Sequence, residues 1–205
     1  MFGWLRKLYD WVLHWAETPY GPIALFILAF AEASFFPIPP DVLLIALAIG
    51  SQAKSLRFAT ICTVGSLFGA ILGYSIGHFA WWNGEEVFSG LALFFFNHVP
   101  GLSEELFYKI KTQYDQWNFW IIFTAGFTPI PYKVFTITAG AFNIQFFMFL
   151  FASIVSRSAR FFLVAGLIWK YGSPIKKFID KYFNWLSILF VILLIGGFIL
   201  IKYLF

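Results

Sequence analysis

Two proline-broken apolar runs constrain this chain more than any other feature. The first covers residues 23–50 and the second covers residues 119–140. Both contain the tripeptide Pro-Ile-Pro, and the prolines that break them are Pro37, Pro39, Pro40, Pro129 and Pro131. Proline interrupts a helix because it lacks a backbone donor and clashes with the preceding turn. Paired breaks at corresponding places in two halves of a chain are typical of membrane transporters that bind their substrate between the halves.

Charge is scarce in this sequence. Hydrophobic residues make up 60% of its 205 residues, and charged residues make up only 12%. Soluble domains carry about a quarter charged residues, so the composition predicts an integral membrane protein. The net charge of +4 suits an anionic lipid surface. No basic stripe on a soluble face is present to bind nucleic acid.

The first broken run predicts a re-entrant hairpin rather than a full crossing. As one helix, residues 23–50 would extend about 42 Å, whereas a bilayer core is about 30 Å thick. The segments on either side of the break are each too short to span it. A hairpin that turns near the midplane and leaves on the same side solves this, provided that its tip is buried or lines a cavity. The second run predicts the same hairpin at about residues 119–142.

Uninterrupted apolar stretches at about residues 58–82 and 146–169 predict one full span after each hairpin. A hairpin followed by one crossing starts the next copy on the opposite side of the membrane. The predicted fold is therefore an all-α integral membrane protein with an inverted repeat of re-entrant helical hairpin plus transmembrane helix, over residues 20–172. An interfacial amphipathic helix over residues 1–19 and an extra C-terminal transmembrane helix over residues 184–204 flank it.

The polar region between the two copies predicts a separate helix. Pro100 and Gly101 precede Ser103, which is a good N-cap, so we expect an amphipathic surface helix over residues 103–117. This region is acidic, whereas lysine and arginine collect in the N-terminus and in the links at residues 51–57 and 170–183. The positive-inside rule therefore predicts a cytoplasmic N-terminus.

The first span carries a glycine at every fourth position of its centre: Gly65, Gly69, Gly73 and Gly77. Such small-residue spacing lets another backbone approach closely. The simplest interpretation is packing alone, and the alternative is a smooth face on which the hairpins pack or slide.

Five ionisable residues fall inside the apolar segments: Glu32, Asp41, Lys133, Arg157 and Arg160. Charges at membrane depth are costly and mark functional sites. Asp41 follows Pro40 and suits the start of a half-helix. Lys133 has the equivalent place after Pro131, where a cation is disfavoured unless an anion lies there too, either a carboxylate (Asp41 or Glu32) or a substrate phosphate. We therefore expect the two tips to bring Asp41 and Lys133 toward one site.

Arg157 and Arg160 are three residues apart and lie on neighbouring faces of one helix. In one interpretation they form structural ion pairs with Glu32 and Asp41. In the other, their forked guanidinium groups bind phosphate. Three cations face two anions, which leaves one positive charge for an anionic ligand. Proton exchange at Glu32 is a further alternative, because burial opposes the charged form of a carboxyl group.

Other chemistry finds little support. His14, His78 and His98 are far apart and lack metal-ligand spacing, so surface or interface roles are expected. The single cysteine, Cys62, cannot form an intramolecular disulfide. No nucleophile motif, phosphate-binding loop or metal-ligand cluster occurs. We therefore expect no enzymatic activity, no metal and no cofactor.

The hairpin motifs resemble the DedA family, which shares its VTT-type membrane domain with eukaryotic lipid scramblases. In the first half the likeness lies in Glu32, in Phe36-Pro37-Ile38-Pro39-Pro40-Asp41 and in Gly73-Tyr74-Ser75-Ile76-Gly77. In the second half it lies in Phe127-Thr128-Pro129-Ile130-Pro131-Tyr132-Lys133 and in Thr138-Ala139-Gly140-Ala141-Phe142, which is most similar to the YqaA-type branch.

The resemblance implies a lipid flippase of the bacterial cytoplasmic (inner) membrane. Its expected substrate is a polyprenyl phosphate, such as undecaprenyl phosphate, or a phospholipid, with protons as a candidate coupling ion. Glu32 and Asp41 match the family's membrane acids. The cations depart from the family pattern, because Gly126 and Lys133 stand where many relatives carry arginines, and Arg157 and Arg160 are candidates to replace that charge.

Three alternatives to lipid transport stay open. They are a proton- or cation-coupled transporter of small solutes, a membrane enzyme acting on lipid phosphates, and a scaffold that transports nothing. Membrane lipids are the expected partners, with an anionic lipid phosphate as the expected substrate, and assembly into a homo-oligomer is left open.

Overall fold

The structure is a computed structural model that describes residues 15, 18–35, 39–84, 87–98, 103–128, 131–172 and 174. Its described residues form helices, and no strand occurs among them. The all-α prediction is therefore confirmed. The predicted helix over residues 184–204 lies outside the described residues, as do nearly all of residues 1–19.

The described helices, in chain order, are α1 (Gly21–Ser34), α2 (Asp41–Gly50), α3 (Ser55–Trp81), α4 (Gly90–His98), α5 (Glu104–Phe127), α6 (Tyr132–Ala141) and α7 (Phe146–Tyr171). A short 3-10 turn, Gln52–Lys54, joins α2 to α3. We call α1 and α2 the first hairpin, and α5 and α6 the second hairpin. In each case a ten-residue helix follows a break and leads to a long helix.

Prolines and a serine cap set several helix ends. α2 begins directly after Pro40, and α6 begins directly after Pro131. The fixed φ of proline suits the entry into a helix, where its missing N–H is not needed. At α5, the hydroxyl of Ser103 accepts a hydrogen bond from the N–H of Leu106 at 3.2 Å.

One helix replaces two predicted elements in the second half. The expected surface helix over residues 103–117 and the first arm of the expected hairpin from residue 119 are parts of α5, which is continuous from Glu104 to Phe127. The predicted boundary between them is wrong. No proline or glycine lies between Ser103 and Gly126, so a change in polarity alone does not end the helix.

α1 and α3 run side by side in the same direction. A Cβ atom added to Gly65 would meet the carbonyl of Phe26. One added to Gly73 would meet the carbonyl of Ala33. Later residues of α1 thus meet later residues of α3. α2 therefore runs in the opposite direction, because it leads from the end of α1 back to the start of α3.

α7 runs opposite to α3. Gln52, just before α3, donates a hydrogen bond to the carbonyl of Trp169 near the end of α7, at 2.7 Å. Ser66, near the middle of α3, meets Arg157 near the middle of α7 at 2.7 Å. The two long helices therefore form an antiparallel pair.

The second hairpin approaches from the other end of this pair. Phe107, early in α5, stacks on Trp81 at the end of α3 with ring centroids 6.0 Å apart. Gly126, in the last turn of α5, lies against Ser156 near the middle of α7. α6 then returns, because residues 142–145 join it to the start of α7. The helix ends that flank the two breaks thus meet near the middle of α7, where Glu32 and Tyr132 lie against Arg157.

The regularly spaced glycines of α3 form the face on which both hairpins lie. A Cβ atom at Gly69 would meet the carbonyl of Phe30 in α1. One at Gly77 would meet the carbonyl of Ile137 in α6. Gly65 faces α1 alone, and Gly73 faces both α1 and α6.

The core consists of two apolar clusters. The first includes Leu25, Leu28, Leu43, Leu44, Leu47, Phe58, Phe161, Ala165 and Ile168. The second is richer in aromatic residues and includes Ala33, Tyr74, Phe107, Tyr114, Tyr132, Phe142, Phe149 and Ala152. On α7, Ala152 is the last residue of the second cluster, and Phe161 is the first residue that belongs to the first cluster. The buried Arg157 falls between them.

Two described helical segments are long and apolar enough to cross a membrane, Gln52–Trp81 and Phe146–Tyr171. Their outward sides carry large exposed apolar side chains, among them Phe68, Phe79, Phe147, Phe151 and Leu163. The apolar character of the chain therefore extends from its core to its outer surface.

Candidate functional site

A polar layer lies between the two apolar clusters, where the helix ends that flank the two breaks meet. Its charged members are the five residues that the sequence singles out: Glu32, Asp41, Lys133, Arg157 and Arg160. They come from α1, α2, α6 and α7. The fold brings them together, although more than a hundred residues of sequence separate the paired ones.

Arg157 and Glu32 form the inner ion pair of the layer. The Nη2 of Arg157 donates to Oε2 of Glu32 at 2.6 Å, and their side chains are 2% and 10% exposed. The Nε of Arg157 donates to the hydroxyl of Ser66 at 2.7 Å. Because both charges are desolvated, loss of either partner would leave an uncompensated buried charge.

Two aromatic rings enclose the Arg157 guanidinium. Its carbon lies 4.8 Å from the ring centroid of Tyr132 and 4.6 Å from that of Phe161. The hydroxyl of Tyr132 donates to the hydroxyl of Ser153 at 2.6 Å, which fixes the ring. Cation–π contacts of this kind strengthen when they are desolvated. Arg157 is thus held at its edge by a carboxylate and a hydroxyl, and on its faces by rings.

Arg160 and Asp41 form the outer ion pair. The Nε and Nη2 of Arg160 donate to Oδ1 and Oδ2 of Asp41 at 3.0 Å and 2.9 Å, in a bidentate arrangement. Its Nη1 donates to the carbonyl of Phe127, the last residue of α5, at 3.3 Å. The side chains are 14% and 17% exposed. This pair ties the start of α2, and hence the first hairpin, to α7.

Lys133 takes no part in an ion pair among the described residues. Its Nζ donates to the carbonyl of Phe35 at 3.4 Å. Of the two anions that the sequence allows beside Lys133, a carboxylate and a substrate phosphate, neither carboxylate pairs with it, because Asp41 pairs with Arg160 and Glu32 pairs with Arg157. The carbonyl end of α1 carries the negative end of a helix dipole. The dipole of α6 disfavours a cation at Lys133, whereas the dipole of α1 favours one.

The start of α6 holds the end of α1 by a second contact. The hydroxyl of Thr136 donates to the carbonyl of Ala33 at 2.8 Å. Together with Lys133, it satisfies carbonyl groups that the end of α1 leaves without helical partners.

Ion pairing of both arginines is one of the two arrangements that the sequence allows, and it is the one present. It leaves Lys133 as the excess cation of the layer. Of the hairpin prolines, Pro40 is buried and Pro39 and Pro131 are exposed. Pro37 and Pro129 lie outside the described residues.

Sequence reasoning missed three members of the layer: Ser66, Tyr132 and Phe161. Ser66 follows one of the regularly spaced glycines, and Tyr132 precedes Lys133. Neither of these two positions carries a signal of contact with Arg157, because that contact depends on how α3, α6 and α7 pack. Phe161 lies four residues after Arg157 on α7, a spacing that places both on one helix face and could have predicted their contact. Among the described residues, no group of three or more histidine, cysteine or acidic side chains is arranged to hold a metal ion.

Comparison with known proteins finds relatives in bacteria and an archaeon. An uncharacterized protein of Haemophilus influenzae is 35% identical over 182 residues, which cover 84% of this chain and 87% of the relative. One of Histophilus somni is 32% identical over 165 residues, 78% of each chain. One of Methanocaldococcus jannaschii is 30% identical over 142 residues, 69% of this chain and 79% of the relative. No family model and no solved structure matches the chain.

Proposed function

This chain belongs to one family with the Haemophilus influenzae and Histophilus somni proteins, and we propose that it is a membrane transporter that flips a phosphate-bearing lipid. The observation that carries the proposal is the partly exposed Arg160–Asp41 pair, which lies where the start of α2 and the end of α5 meet α7. The substrate class comprises polyprenyl phosphates and anionic phospholipids. Protons are the candidate coupling ion.

The outer surface supports a place in the bilayer. Gln52–Trp81 and Phe146–Tyr171 have the length and composition of membrane spans. Large apolar side chains on their outward faces would be unfavourable in water, where contiguous apolar patches are rare. The charged members of the polar layer instead face the interior, as expected for ionisable groups at membrane depth.

The directions of the helices support two re-entrant hairpins. The first hairpin approaches from one end of the α3–α7 pair and the second from the other. α1 has 14 residues and α2 and α6 have ten each, so these three helices are too short to cross a core of about 30 Å. α5 is longer, with 24 residues, but it begins with the acidic turn of Glu104 and Glu105, so only its later part is suited to the bilayer. An inverted repeat with its site at the junction, as in the DedA family that the motifs resemble, accounts for this arrangement.

The charge distribution supports an orientation. Lys54 and Arg57 at the start of α3 lie at the same end as Lys170 of α7, because Gln52 bonds to Trp169 there. Glu104 and Glu105 begin α5 at the opposite end. By the positive-inside rule, the basic end faces the cytoplasm of a bacterial inner membrane.

The headgroup chemistry follows from the two outer cations. Arginine binds phosphate through two parallel hydrogen bonds, and Arg160 already makes such a pair with a carboxylate. Lys133 supplies the excess positive charge of the layer. The acyl or prenyl tail would stay in the bilayer beside the exposed aromatic surface of α5 and α7.

A reconstitution experiment tests the proposal. Purified protein in liposomes should accelerate translocation of a fluorescent phosphatidic acid, and Arg160→Ala and Lys133→Ala should each slow it by at least about tenfold. Arg57→Ala, which removes an exposed arginine outside the layer, is the matched control. Competition by long-chain lipid phosphates separates this function from transport of a small solute. Undiminished translocation in both Arg160→Ala and Lys133→Ala would refute the proposal.

The pairing of both acids favours a second candidate, a scaffold in which the charges only hold the hairpins together. A charge swap separates the two functions. Asp41→Arg combined with Arg160→Asp restores an ion pair, so a scaffold should regain its stability and its role in cells. A transporter should regain stability without translocation, because the phosphate-binding arginine has moved to α2.

A further inference from the structure

We propose that the carboxylate of Asp41 occupies the position on Arg160 that the phosphate of the ligand takes when it binds, and that the two anions exchange there. This inference rests on the proposed function and assigns a separate role to each ion pair. Arg157–Glu32 is a fixed pair that holds the layer together. Arg160–Asp41 is an exchangeable pair whose opening admits the headgroup.

The surroundings of the two arginines carry this division. Arg157 is enclosed by Ser66, by Glu32 and by two rings, with 2% of its side chain exposed. No described group encloses the faces of Arg160 in that way, and its side chain and that of Asp41 are 14% and 17% exposed. An incoming anion can therefore approach Arg160 but is shut out from Arg157.

The remaining contacts of the outer cations are weak. Arg160 Nη1 and Lys133 Nζ each reach one main-chain carbonyl, at 3.3 Å and 3.4 Å. Charge-assisted hydrogen bonds to anions are usually about 2.7–2.9 Å long and about twice as strong as neutral ones. Both cations would therefore gain by exchanging a neutral carbonyl for a phosphate oxygen.

Asp41 can leave Arg160 without becoming an unpaired buried charge. It is the first residue of α2, so its carboxylate stays beside the free N–H groups and the positive end of that helix. Its release would also remove the two hydrogen bonds that tie the start of α2 to α7. Ligand binding would then loosen the returning arm of the first hairpin, while Arg157–Glu32 keeps α1 in place.

Equilibrium binding of farnesyl phosphate to the full chain in detergent tests the exchange. Asp41→Asn removes the competing anion and should tighten binding by about tenfold, or about 1.4 kcal/mol. Arg160→Ala should abolish binding. Asp115→Asn makes the same charge change at an exposed position of α5 and should leave binding unchanged. Equal or weaker binding in Asp41→Asn, or equal tightening in Asp115→Asn, would overturn the proposal.

Two further probes identify the source of the phosphate. Inorganic phosphate that binds as well as farnesyl phosphate would assign the site to free phosphate, and farnesol is the neutral control. Hydrogen exchange in the unaltered chain avoids any folding defect of the variants. Farnesyl phosphate should speed exchange in the first turn of α2 but not around Arg157. Unchanged or slower exchange there contradicts the release of Asp41.

The outcome is separable from that of the transport experiment. Tighter binding in Asp41→Asn without translocation in liposomes would support the exchange and refute transport. Translocation without that tightening would support transport and refute the exchange.

Discussion

Arg157 combines the electrostatic and packing interactions of the layer in one side chain. Its planar guanidinium can contact a carboxylate and a hydroxyl at its edge while its faces lie against two rings. A lysine at this position would keep the charge but lose the planar fork. The geometry therefore requires arginine rather than a cation in general.

Replacing Arg157 by lysine should destabilise the protein strongly. The ammonium group cannot bond to Glu32 and Ser66 and stack between Tyr132 and Phe161 at once, so we expect a loss of about 3 kcal/mol. Thermal unfolding in detergent measures the effect. Arg160→Lys is the matched control, and it should cost less because Arg160 is partly exposed. Equal losses in the two variants would refute the distinction between the pairs.

The ring and the hydroxyl of Tyr132 should contribute separately. Tyr132→Phe keeps the ring against Arg157 but removes the bond to Ser153, so a loss of about 1 kcal/mol is expected. Tyr132→Ala also removes the ring and leaves a cavity, and should cost about 3–5 kcal/mol. Denaturant unfolding of both variants measures the difference. A Phe variant as unstable as the Ala variant would show that the ring contributes little.

Some of the helix ends can be predicted from the sequence, and others cannot. Prolines act locally, so the breaks before Asp41 and Tyr132 follow from the chain alone. The length of α5 does not follow from its polarity, because the polar turns near Glu104 and the apolar turns near Phe127 belong to one helix. Without a local breaker, tertiary packing decides where such a helix turns from the surface into the core.

The glycine face of α3 yields a test at the scale of helix packing. Gly69→Ala would drive a Cβ atom into the carbonyl of Phe30, so α1 must move away from α3 and stability should fall by at least about 2 kcal/mol. Gly166→Ala in α7 is the matched control. No atom lies within 4 Å of its added Cβ, and alanine favours helix by up to about 1 kcal/mol. Unfolding temperatures should therefore shift in opposite directions. A drop in both variants would show that general helix effects dominate.

At the scale of the whole molecule, the pairing of charges is the part that sequence could not give. The five charged positions follow from their rarity in apolar segments, and the likeness of the two hairpins follows from their prolines. The choice of partners depends on register. Arg157 and Arg160, one turn apart on α7, meet the end of α1 and the start of α2, which are 125 and 119 residues away in sequence. That register is set by packing on α3.

The arrangement of the hairpins makes a prediction about membrane sidedness. If the first hairpin is re-entrant, its two ends lie on the same side of the membrane. Single cysteines at Tyr20, before α1, and at Ala53, after α2, should then react with an impermeant maleimide from the cytoplasmic side. A cysteine at Val87, beyond α3, should react only from the opposite side. All three residues are exposed, and the background is Cys62→Ala, which removes the buried native thiol.

Two outcomes would contradict this arrangement. If residues 23–50 crossed the membrane once, Tyr20 and Ala53 would lie on opposite sides, so labelling of these two positions from opposite sides would refute the re-entrant arrangement. Labelling of all three from one side would refute α3 as a membrane span, because α3 alone separates Ala53 from Val87.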